Sequence, residues 1–392
     1  MPDIFLGFVF EEEMERELLK ISRGVQTAAN QYQKGFLAGF GREMEIFSVL
    51  CVPIYSRGCR RLRFQEETVR TAFGNMTYVP FLNLLQIREY MQEAYLYRVL
   101  SRMLKETSED ITIYVYSLYL PFLRMMRRLK QKHGSRIRYC LIIPDLAGEY
   151  GIMRRKFTLR GIKDRLEAKR KMTLPSAADS YVFLTEAMRE QFPPKPYTVI
   201  EGFLPQTDFD YKQPRIPRSI LYTGSLNPVF GISRLLEAFQ GIDDPRYQLW
   251  ICGAGGEQAQ VEAAAAEDPR ITYYGYLPKQ EIMKLQARCD ILVNPRSSDG
   301  TYTKYSFPSK TMEYLLSGSK VVMYRLEGVG EEYYRFIRTI EKDGAEGIRE
   351  ALMAAAEDTA FSQERRLEQA EWIRTEKSAE RQVSRICAVQ GR

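Results

Sequence analysis

The sequence predicts an α/β protein that contains two doubly wound, parallel-sheet domains. Short apolar runs alternate with amphipathic segments along most of the chain, which is the pattern of strands joined by crossover helices. The length of 392 residues exceeds what one hydrophobic core usually supports, so two domains are expected. A polar, proline-containing stretch at 205–218 separates the two sets of strands and is the predicted linker. The predicted domains are 1–205 and 206–360, followed by a helix at 361–392.

The composition is that of a folded protein with reduced cysteines. Hydrophobic residues make up 45% of the chain and aromatic residues 12%, which is enough to fill a packed interior and argues against disorder. No apolar run reaches the ~18 residues of a membrane-spanning helix, and the start Met1-Pro2-Asp3 does not read as a secretory signal. The six cysteines are far apart and the chain has one histidine, which does not form a zinc motif. We therefore expect a cytoplasmic protein without a metal site.

Positive charge is concentrated in the first domain. The formal net charge is +7, and residues 1–205 contain 32 basic and 23 acidic residues. Two basic segments, at 120–132 and 157–172, are predicted helices. An apolar face beside cationic residues suits attachment to an anionic membrane surface, here the inner face of the plasma membrane. The alternative is an ordinary amphipathic helix whose cationic face is in water.

The first domain begins with a predicted buried strand at 4–10. Gly24 lies in the loop between this strand and the first long helix, where it is either a site residue or a plain turn glycine. Asp145 follows another strand and is a candidate for contact with a substrate, although aspartate there is as often a turn former. The single histidine, His133, is read as a helix-end residue rather than a catalytic base. The other strands predicted in this domain are 46–54, 76–81, 110–116, 136–143 and 180–184.

The second domain repeats the alternation of strands and helices. Its predicted strands are 219–223, 248–252, 271–274, 290–293 and 320–324, and its clearest helices are 231–239 and 256–266. Ligands of doubly wound sheets gather beyond the carboxyl ends of the strands. The residues that follow these strands are therefore expected on one rim: Gly224, Gly253, Gly275, Arg296 and the turn 306–310.

The stretch 304–318 carries the strongest functional signal. Pro308 suits the first position of a helix that ends at Gly318. The free amides of the first turn, the hydroxyls of two neighbouring serines and the charge of Lys310 would together attract an anion. Glu313 lies one turn further along, where its carboxylate can accept hydrogen bonds from a ribose diol. These residues predict a site for a phosphorylated nucleoside.

The segments Ser306 to Lys310 and Glu313 to Gly318 resemble the donor-binding signature of glycosyltransferase family 4, of the type that makes bacterial capsules and exopolysaccharides. Three further segments support the resemblance in the expected order: Tyr222 to Leu226, Cys252 to Gly255 and Tyr274 to Pro278. The likeness covers the second half of the chain well and the first half loosely. It implies the GT-B fold, in which two Rossmann-like domains face each other across a cleft and the last helix crosses back to the first domain.

The resemblance also implies an activity, which is the retaining transfer of a hexose from a nucleotide sugar. The donor is expected to be a UDP-sugar in preference to a GDP-sugar, and the acceptor a lipid-linked or polysaccharide chain. Lys310 would stabilise the departing diphosphate, Asp145 would act at the acceptor, and Gly24 would lie on the acceptor side. No cofactor or divalent metal is expected, because the retaining members of this class need none. The donor phosphate can take the acceptor proton, so a histidine is not required. The expected donor-binding residues are Gly224, Ser225, Gly253, Tyr276, Arg296, Ser306, Phe307, Pro308, Ser309, Lys310 and Glu313.

The sequence departs from the family pattern at three positions. The first of two acids that the family spaces eight residues apart is Tyr305 here. The arginine and lysine that follow the first strand of the second domain fall on Ser225 and Phe230. Neutralisation of the donor phosphates would then rest on Lys310 and Arg296, or on Lys304.

Three other interpretations remain open at this stage. One is a UDP-sugar 2-epimerase of the same fold, which needs no acceptor site. Another is a degenerate, inactive member of the fold. The third is a basic protein that binds a partner or nucleic acid, although the tyrosines lie mostly in strand-like runs rather than on an exposed groove.

Overall fold

The computed structural model describes residues 3–22, 26–56, 58–85, 87–146, 173–204, 209–298 and 301–391. The chain divides into two compact units. The first consists of Met1–Phe203 together with Ala379–Arg392, and the second of Leu204–Ser378. Gly24 and the predicted basic helix at 157–172 lie outside the described residues.

The strands and helices alternate through both units. The strands are β1 (Ile4–Gly7), β2 (Met44–Ser48), β3 (Arg63–Phe64), β4 (Glu67–Thr71), β5 (Gly74–Tyr78), β6 (Phe81–Leu82), β7 (Ile111–Tyr116), β8 (Ile137–Ile143), β9 (Ser180–Phe183), β10 (Tyr197–Val199), β11 (Ile216–Thr223), β12 (Gln248–Cys252), β13 (Ile271–Gly275), β14 (Cys289–Asn294), β15 (Lys320–Tyr324) and β16 (Ile337–Ile340). The described α-helices are α1 (Glu12–Ile21), α2 (Thr27–Phe40), α3 (Ile87–Glu106), α4 (Leu120–His133), α5 (Ile232–Gln240), α6 (Gln258–Glu267), α7 (Lys279–Arg288), α8 (Lys310–Leu316), α9 (Gly344–Ala356), α10 (Gln363–Glu376) and α11 (Ala379–Val389).

The first unit is built on an eight-stranded sheet with the order β10-β9-β8-β7-β1-β2-β5-β4. All neighbours are parallel except β4 and β5. Every residue of β7 is buried, as expected for a central strand covered on both faces. The predicted strand at 4–10 ends early because buried side chains of α2 take over its backbone hydrogen bonds. The Phe8 amide donates to Gln33 Oε1 at 2.8 Å, and the Phe10 amide donates to Asn30 Oδ1 at 3.0 Å.

The helix predicted at 120–132 is present as α4, and its apolar face is internal. Its buried residues are Leu120, Pro121, Phe122, Leu123, Met125, Met126 and Leu129. The cationic side chains of Arg127, Arg128 and Lys132 are exposed. Of the two readings of this helix, the structure therefore favours the ordinary amphipathic one, since its apolar face is not available to enter a bilayer. In the described part of the chain, no helix is long and apolar enough to cross a membrane.

The second unit is built on a six-stranded, fully parallel sheet with the order β13-β12-β11-β14-β15-β16. The strand order reverses between β11 and β14. In a doubly wound sheet the helices lead away in opposite directions at this point and leave a crevice at the carboxyl ends of the two strands. The predicted class, two Rossmann-like α/β domains, is thereby confirmed.

The first strand of the second unit begins three residues before the predicted strand at 219–223. Strand β11 starts at Ile216, inside the predicted linker, and Arg215 just before it is half-buried. The Arg215 guanidinium donates to the carbonyl oxygens of Gln286 at 2.6 Å and Cys289 at 2.7 Å, and burial lowers its pKa to about 10. A cation at these carbonyls ties the end of α7 to the sheet.

The helix predicted at the carboxyl end of the chain is two helices that belong to different units. Helix α10 lies in the second unit and α11 in the first. The fully buried Gln369 of α10 donates from Nε2 to the carbonyl oxygens of Leu315 and Ser319, both at 3.0 Å. This side chain therefore attaches α10 to the end of α8 and to the start of β15.

We predict that Gln369→Leu lowers the free energy of unfolding by about 1–3 kcal/mol, because two buried carbonyl groups lose a donor. Chemical denaturation of the purified variant measures this. Leu367→Ala, an exposed substitution on the same helix, is the control and should change stability by less than about 0.5 kcal/mol. Equal stability of Gln369→Leu and the wild type would contradict the assigned role.

Candidate functional site

A cavity of about 310 Å³ lies at the reversal point of the second sheet. Its walls come from the end of β11, from the end of β14 and from the turn that precedes α8. The residues that line it are Tyr222, Thr223, Gly224, Ser225, Phe230, Asn294, Arg296, Phe307, Pro308, Ser309, Lys310 and Tyr314. Seven of the eleven predicted donor-binding residues are in this set: Gly224, Ser225, Arg296, Phe307, Pro308, Ser309 and Lys310.

The loops after β11, β12 and β13 lie against one another through their backbones. The Gly224 amide donates to the carbonyl of Cys252 at 3.0 Å, and the Gly253 amide donates to that of Gly275 at 2.8 Å. Gly253 has a φ of +148°, and a Cβ there would lie 1.8 Å from the Gly224 carbonyl oxygen. A side chain at 253 is therefore excluded. Gly253 does not line the cavity but supports the loop that does.

A second place where two backbones lie close together shapes another wall of the cavity. Gly231 has a φ of +78°, and a Cβ at this position would lie 2.4 Å from the carbonyl oxygen of Pro295. The loop before α5 can therefore lie directly against the end of β14. This contact brings Phe230 into the same cavity wall as Asn294 and Arg296.

Tyr314 connects α8 to the end of β11. Its hydroxyl accepts a hydrogen bond from the Thr223 amide at 3.0 Å and lies 3.0 Å from the Thr223 hydroxyl. The ring is fully buried, and burial raises the pKa of its phenol, so the hydroxyl stays protonated. The neighbouring Tyr222 hydroxyl donates to the Ser225 carbonyl at 2.8 Å. Both tyrosines therefore fix the loop that follows β11.

Arg296 is the buried cation of the cavity wall, with 6% of its surface exposed. Its Nη2 donates to Ser306 Oγ at 3.2 Å, and its amide donates to Asn294 Oδ1 at 3.4 Å. Ser306 does not line the cavity, but it orients the guanidinium that does.

Lys310 is the second cation of the cavity, and Glu313 lies behind it. Lys310 Nζ is 2.9 Å from Glu313 Oε1, which also accepts a hydrogen bond from Gln286 Nε2 at 2.6 Å. The side chain of Glu313 is 13% exposed and that of Lys310 is 35% exposed. Glu313 is therefore placed to hold the lysine, and it does not line the cavity itself.

The charge of the cavity wall favours an anion. Among the described residues that line it, Arg296 and Lys310 are charged and there is no carboxylate. Two cations in a concave, partly desolvated site attract phosphate more strongly than they would on an open surface. Asn294 and the hydroxyls of Ser225 and Ser309 add hydrogen-bonding groups to the cavity wall.

Helix α8 begins later than the sequence suggested. Pro308 was expected at its first helical position, but the helix is Lys310–Leu316. The Thr311 amide donates to the Pro308 carbonyl at 2.8 Å, so Pro308 precedes the helix and closes its first turn. The helix has seven residues. The side-chain charges of Lys310 and Arg296 therefore matter more to the site than the dipole of so short a helix.

Other residues singled out in the sequence lie outside the cavity. Tyr276 follows β13 and is 83% exposed. Asp145 is in the first unit, exposed at the carboxyl end of β8. Tyr305 is in a 3₁₀ turn, with Lys304 Nζ 5.8 Å from its ring centre.

Five residues that line the cavity were not predicted from the sequence. These are Tyr222, Thr223, Phe230, Asn294 and Tyr314. Three of them, Tyr222, Thr223 and Asn294, could have been found from their position in the last two residues of β11 and at the end of β14. Tyr314 was detectable as the residue one helical turn after Lys310.

Comparison with known proteins assigns a family resemblance to this part of the chain. Residues 217–361 match the family model described as Glycosyl transferases group 1. This segment extends from β11 to just beyond α9 and so includes the cavity. The comparison with curated protein sequences gives no significant match.

Solved structures resemble the chain over its full length. Anabaena Alr3699/HepE in complex with UDP has a TM-score of 0.62 at 14% identity, with 100% of both chains covered. The pneumococcal O-GlcNAc transferase GtfA in complex with UDP and GlcNAc has a TM-score of 0.58 at 11% identity, covering 100% of this chain and 99% of that one. The chain has the GT-B fold.

A third structure is longer than this chain. A mutant of Staphylococcus aureus TarM, in complex with Fondaparinux, alpha-GlcNAc-glycerol and UDP, has a TM-score of 0.51 at 13% identity. The match covers 79% of this chain and 59% of TarM. With the family match, these findings support a glycosyltransferase of the GT-B fold.

We predict that Tyr314→Phe lowers the free energy of unfolding by about 1–3 kcal/mol, because the buried Thr223 amide loses its acceptor. Denaturant unfolding of the variant measures the loss. Tyr276→Phe removes an exposed hydroxyl and serves as the matched control. If the two variants are equally stable, the Tyr314 hydroxyl does not hold β11 to α8.

Proposed function

We propose that the chain is a retaining glycosyltransferase that moves a hexose from a UDP-sugar to a lipid-linked or polysaccharide acceptor. The observation that carries the proposal is the cavity at the strand-order reversal, whose charged residues are Arg296 and Lys310. It lies within the segment that matches the glycosyltransferase family model. A nucleoside diphosphate fits both the charge of the cavity and its place in the sheet.

In the proposed reaction, Lys310 and Arg296 bind the diphosphate of the donor. The bond between the anomeric carbon and the β-phosphate oxygen breaks, and negative charge builds on that oxygen. Cations already in position stabilise this charge at the transition state without further reorganisation. Glu313 and Ser306 contribute by holding the two cations, through the contacts at 2.9 Å and 3.2 Å.

The acceptor oxygen attacks the face of the sugar from which the diphosphate leaves, so the anomeric configuration is retained. The proton of the acceptor hydroxyl goes to the departing phosphate oxygen, and no metal or other cofactor takes part. We propose Asp145 as an acceptor contact, since it lies exposed at the carboxyl end of β8, where ligands of parallel sheets bind. Gly24 remains the proposed acceptor-side glycine.

Two observations bear on which nucleotide the donor carries: the ligands of the similar solved structures, and the departures from the family pattern. HepE and GtfA are both solved with UDP, which favours a uridine nucleotide for this chain. Ser225 and Phe230, which replace two basic residues of the pattern, both line the cavity. We therefore propose that Arg296 and Lys310 bind the phosphates in place of the two missing basic residues. We assign the chain to capsule or exopolysaccharide synthesis on the cytoplasmic side of the membrane, as a glycosyltransferase of family 4.

We predict that Lys310→Ala weakens UDP binding by about 1.5–3 kcal/mol, the range for a hydrogen bond to a charged group. Isothermal titration calorimetry with UDP, GDP and ADP measures this. Lys279→Ala removes an exposed lysine at the start of α7 and should leave UDP affinity unchanged. If the wild type binds none of the three nucleotides, the donor assignment fails.

We predict that transfer from a UDP-hexose continues in excess EDTA and yields a product with the anomeric configuration of the donor. Proton NMR of the product, recorded during the reaction, shows the configuration of the new linkage. Loss of activity in EDTA that added magnesium restores would contradict the metal-free mechanism. An inverted product would contradict retention.

A further inference from the structure

Phe230 differs from the other aromatic side chains of the cavity wall. Among the described residues, Tyr222, Phe230, Phe307 and Tyr314 are the aromatic ones that line it. Tyr222, Phe307 and Tyr314 are buried, whereas Phe230 is half-buried. The two tyrosine hydroxyls hold the loop after β11, and Phe307 packs against Tyr333 with ring centres 5.4 Å apart. These three rings therefore belong to the core, and Phe230 faces the cavity.

The ring of Phe230 lies in an ordered turn. Its amide donates to the Asn227 carbonyl at 2.9 Å, and the Gly231 amide donates to the Pro228 carbonyl at 3.1 Å. The Asn227 side chain donates to Ser225 Oγ at 2.8 Å. Within the described ranges, no aromatic ring or cation packs on the face of Phe230. A ring that is already in position binds a ligand at a low cost in conformational entropy.

The loop that carries Phe230 is fixed at both ends. Leu226 is fully buried, and its amide donates to the Ala254 carbonyl at 3.0 Å. At the other end, Gly231 lies so close to Pro295 that a Cβ on the glycine would be 2.4 Å from the proline carbonyl oxygen. These contacts fix the position of the ring relative to the end of β14.

The wall around Phe230 combines an apolar face with polar groups, because Asn294 and Arg296 line the same cavity. A pyranose ring has matching chemistry, since its axial C–H bonds form an apolar face and its hydroxyls lie around the edge. An aromatic ring gains dispersion and electrostatic contact with such a face. The amide of Asn294 can donate to or accept from a sugar hydroxyl. A phenyl ring cannot bind phosphate as the basic residue of the family pattern would.

The place of Phe230 favours the hexose of the donor over its nucleobase. Arg296 and Lys310 are proposed to bind the diphosphate, and the hexose is bonded directly to the β-phosphate. The base is separated from the diphosphate by the ribose. The cavity volume of about 310 Å³ is at the lower end of the ~300–1,000 Å³ of ligand pockets. It suits the diphosphate and the ring next to it better than a whole nucleotide sugar.

We propose that Phe230 stacks on the apolar face of the donor hexose and determines which hexose the chain accepts. The inference rests on the proposed function. A hexose that directs a hydroxyl at the phenyl ring leaves this hydroxyl without a hydrogen-bond partner, which weakens its binding. The contact therefore discriminates between hexoses that differ in the orientation of one hydroxyl.

The test is calorimetry with UDP, UDP-glucose, UDP-galactose and UDP-N-acetylglucosamine. Phe230→Ala should weaken binding of the UDP-hexose that the wild type prefers by about tenfold, and should change UDP affinity by less than about twofold. Phe230→Leu, which keeps an apolar side chain without a ring, should lose the preference among the three sugars. Phe230→Tyr keeps the ring and should bind as the wild type does.

The matched control is Val229→Ala, in the same turn as Phe230. Val229 is 57% exposed and does not line the cavity, so its substitution should leave all four affinities unchanged. Thermal unfolding of each variant separates loss of the contact from loss of the fold.

Proton NMR of the bound nucleotide sugar identifies the group that lies on the ring. Stacking moves the signals of the hexose C–H protons upfield, because the ring current of Phe230 acts on them. This shift should disappear in Phe230→Leu. The uracil protons should shift equally in the wild type and in this variant.

Three outcomes would overturn the proposal while leaving the donor assignment intact. Phe230→Ala could weaken UDP and the UDP-hexoses equally, or the wild type could bind the three UDP-hexoses with the same affinity. In the third, the uracil protons lose their shift in Phe230→Leu and the hexose protons do not, which would place the ring against the base. A wild type that binds neither UDP nor a UDP-hexose would instead remove the proposed function, and this inference with it.

Discussion

The reversal of strand order between β11 and β14 is the constraint on which the candidate site depends. A parallel sheet places the carboxyl ends of its strands on one edge, and only at the reversal do the flanking helices leave room for a ligand. Tyr314 keeps this opening in shape, because its hydroxyl binds the last residue of β11 at 3.0 Å. Gly231 and Gly253 allow the adjoining loops to approach more closely than any side chain would permit. Backbone packing thus forms the cavity, and Arg296 and Lys310 give its wall a positive charge.

The polar groups of the site have two different roles. Arg296 and Lys310 line the cavity, whereas Ser306 and Glu313 contact these cations from behind. A carboxylate in the wall itself would repel a diphosphate, so the position of Glu313 outside the lining matters. Its second hydrogen bond, from Gln286 at 2.6 Å, keeps it oriented towards the lysine. This arrangement provides positive charge that does not have to reorganise when a leaving group departs.

The first unit uses its hydrophobic residues in two different ways. Those of α4 and β7 are buried and build the core, although the composition of α4 suggested an additional surface role. Others, such as Leu85 and Tyr90, remain exposed. Hydrophobic composition alone does not distinguish these cases, because a helical period of apolar residues fits a core and a membrane equally well. Whether such residues are buried or exposed depends on the strands and helices that pack against them.

The sequence by itself determined the α/β class, the repeated strand–helix alternation and seven of the residues that line the candidate cavity. These follow from local patterns, since apolar runs, turn residues and the order Ser306-Phe307-Pro308-Ser309-Lys310 can be read along the chain. The tertiary structure decided which of those residues share a cavity. It placed Gly253 behind the wall, left Tyr276 in solvent, and added Asn294 and Tyr314 to the lining. It also divided the last helical stretch between two units and started β11 within the predicted linker. The reason is that contacts between residues about 90 positions apart, such as Thr223 and Tyr314, depend on how the strands and helices pack, and a pattern read along the chain does not contain that packing.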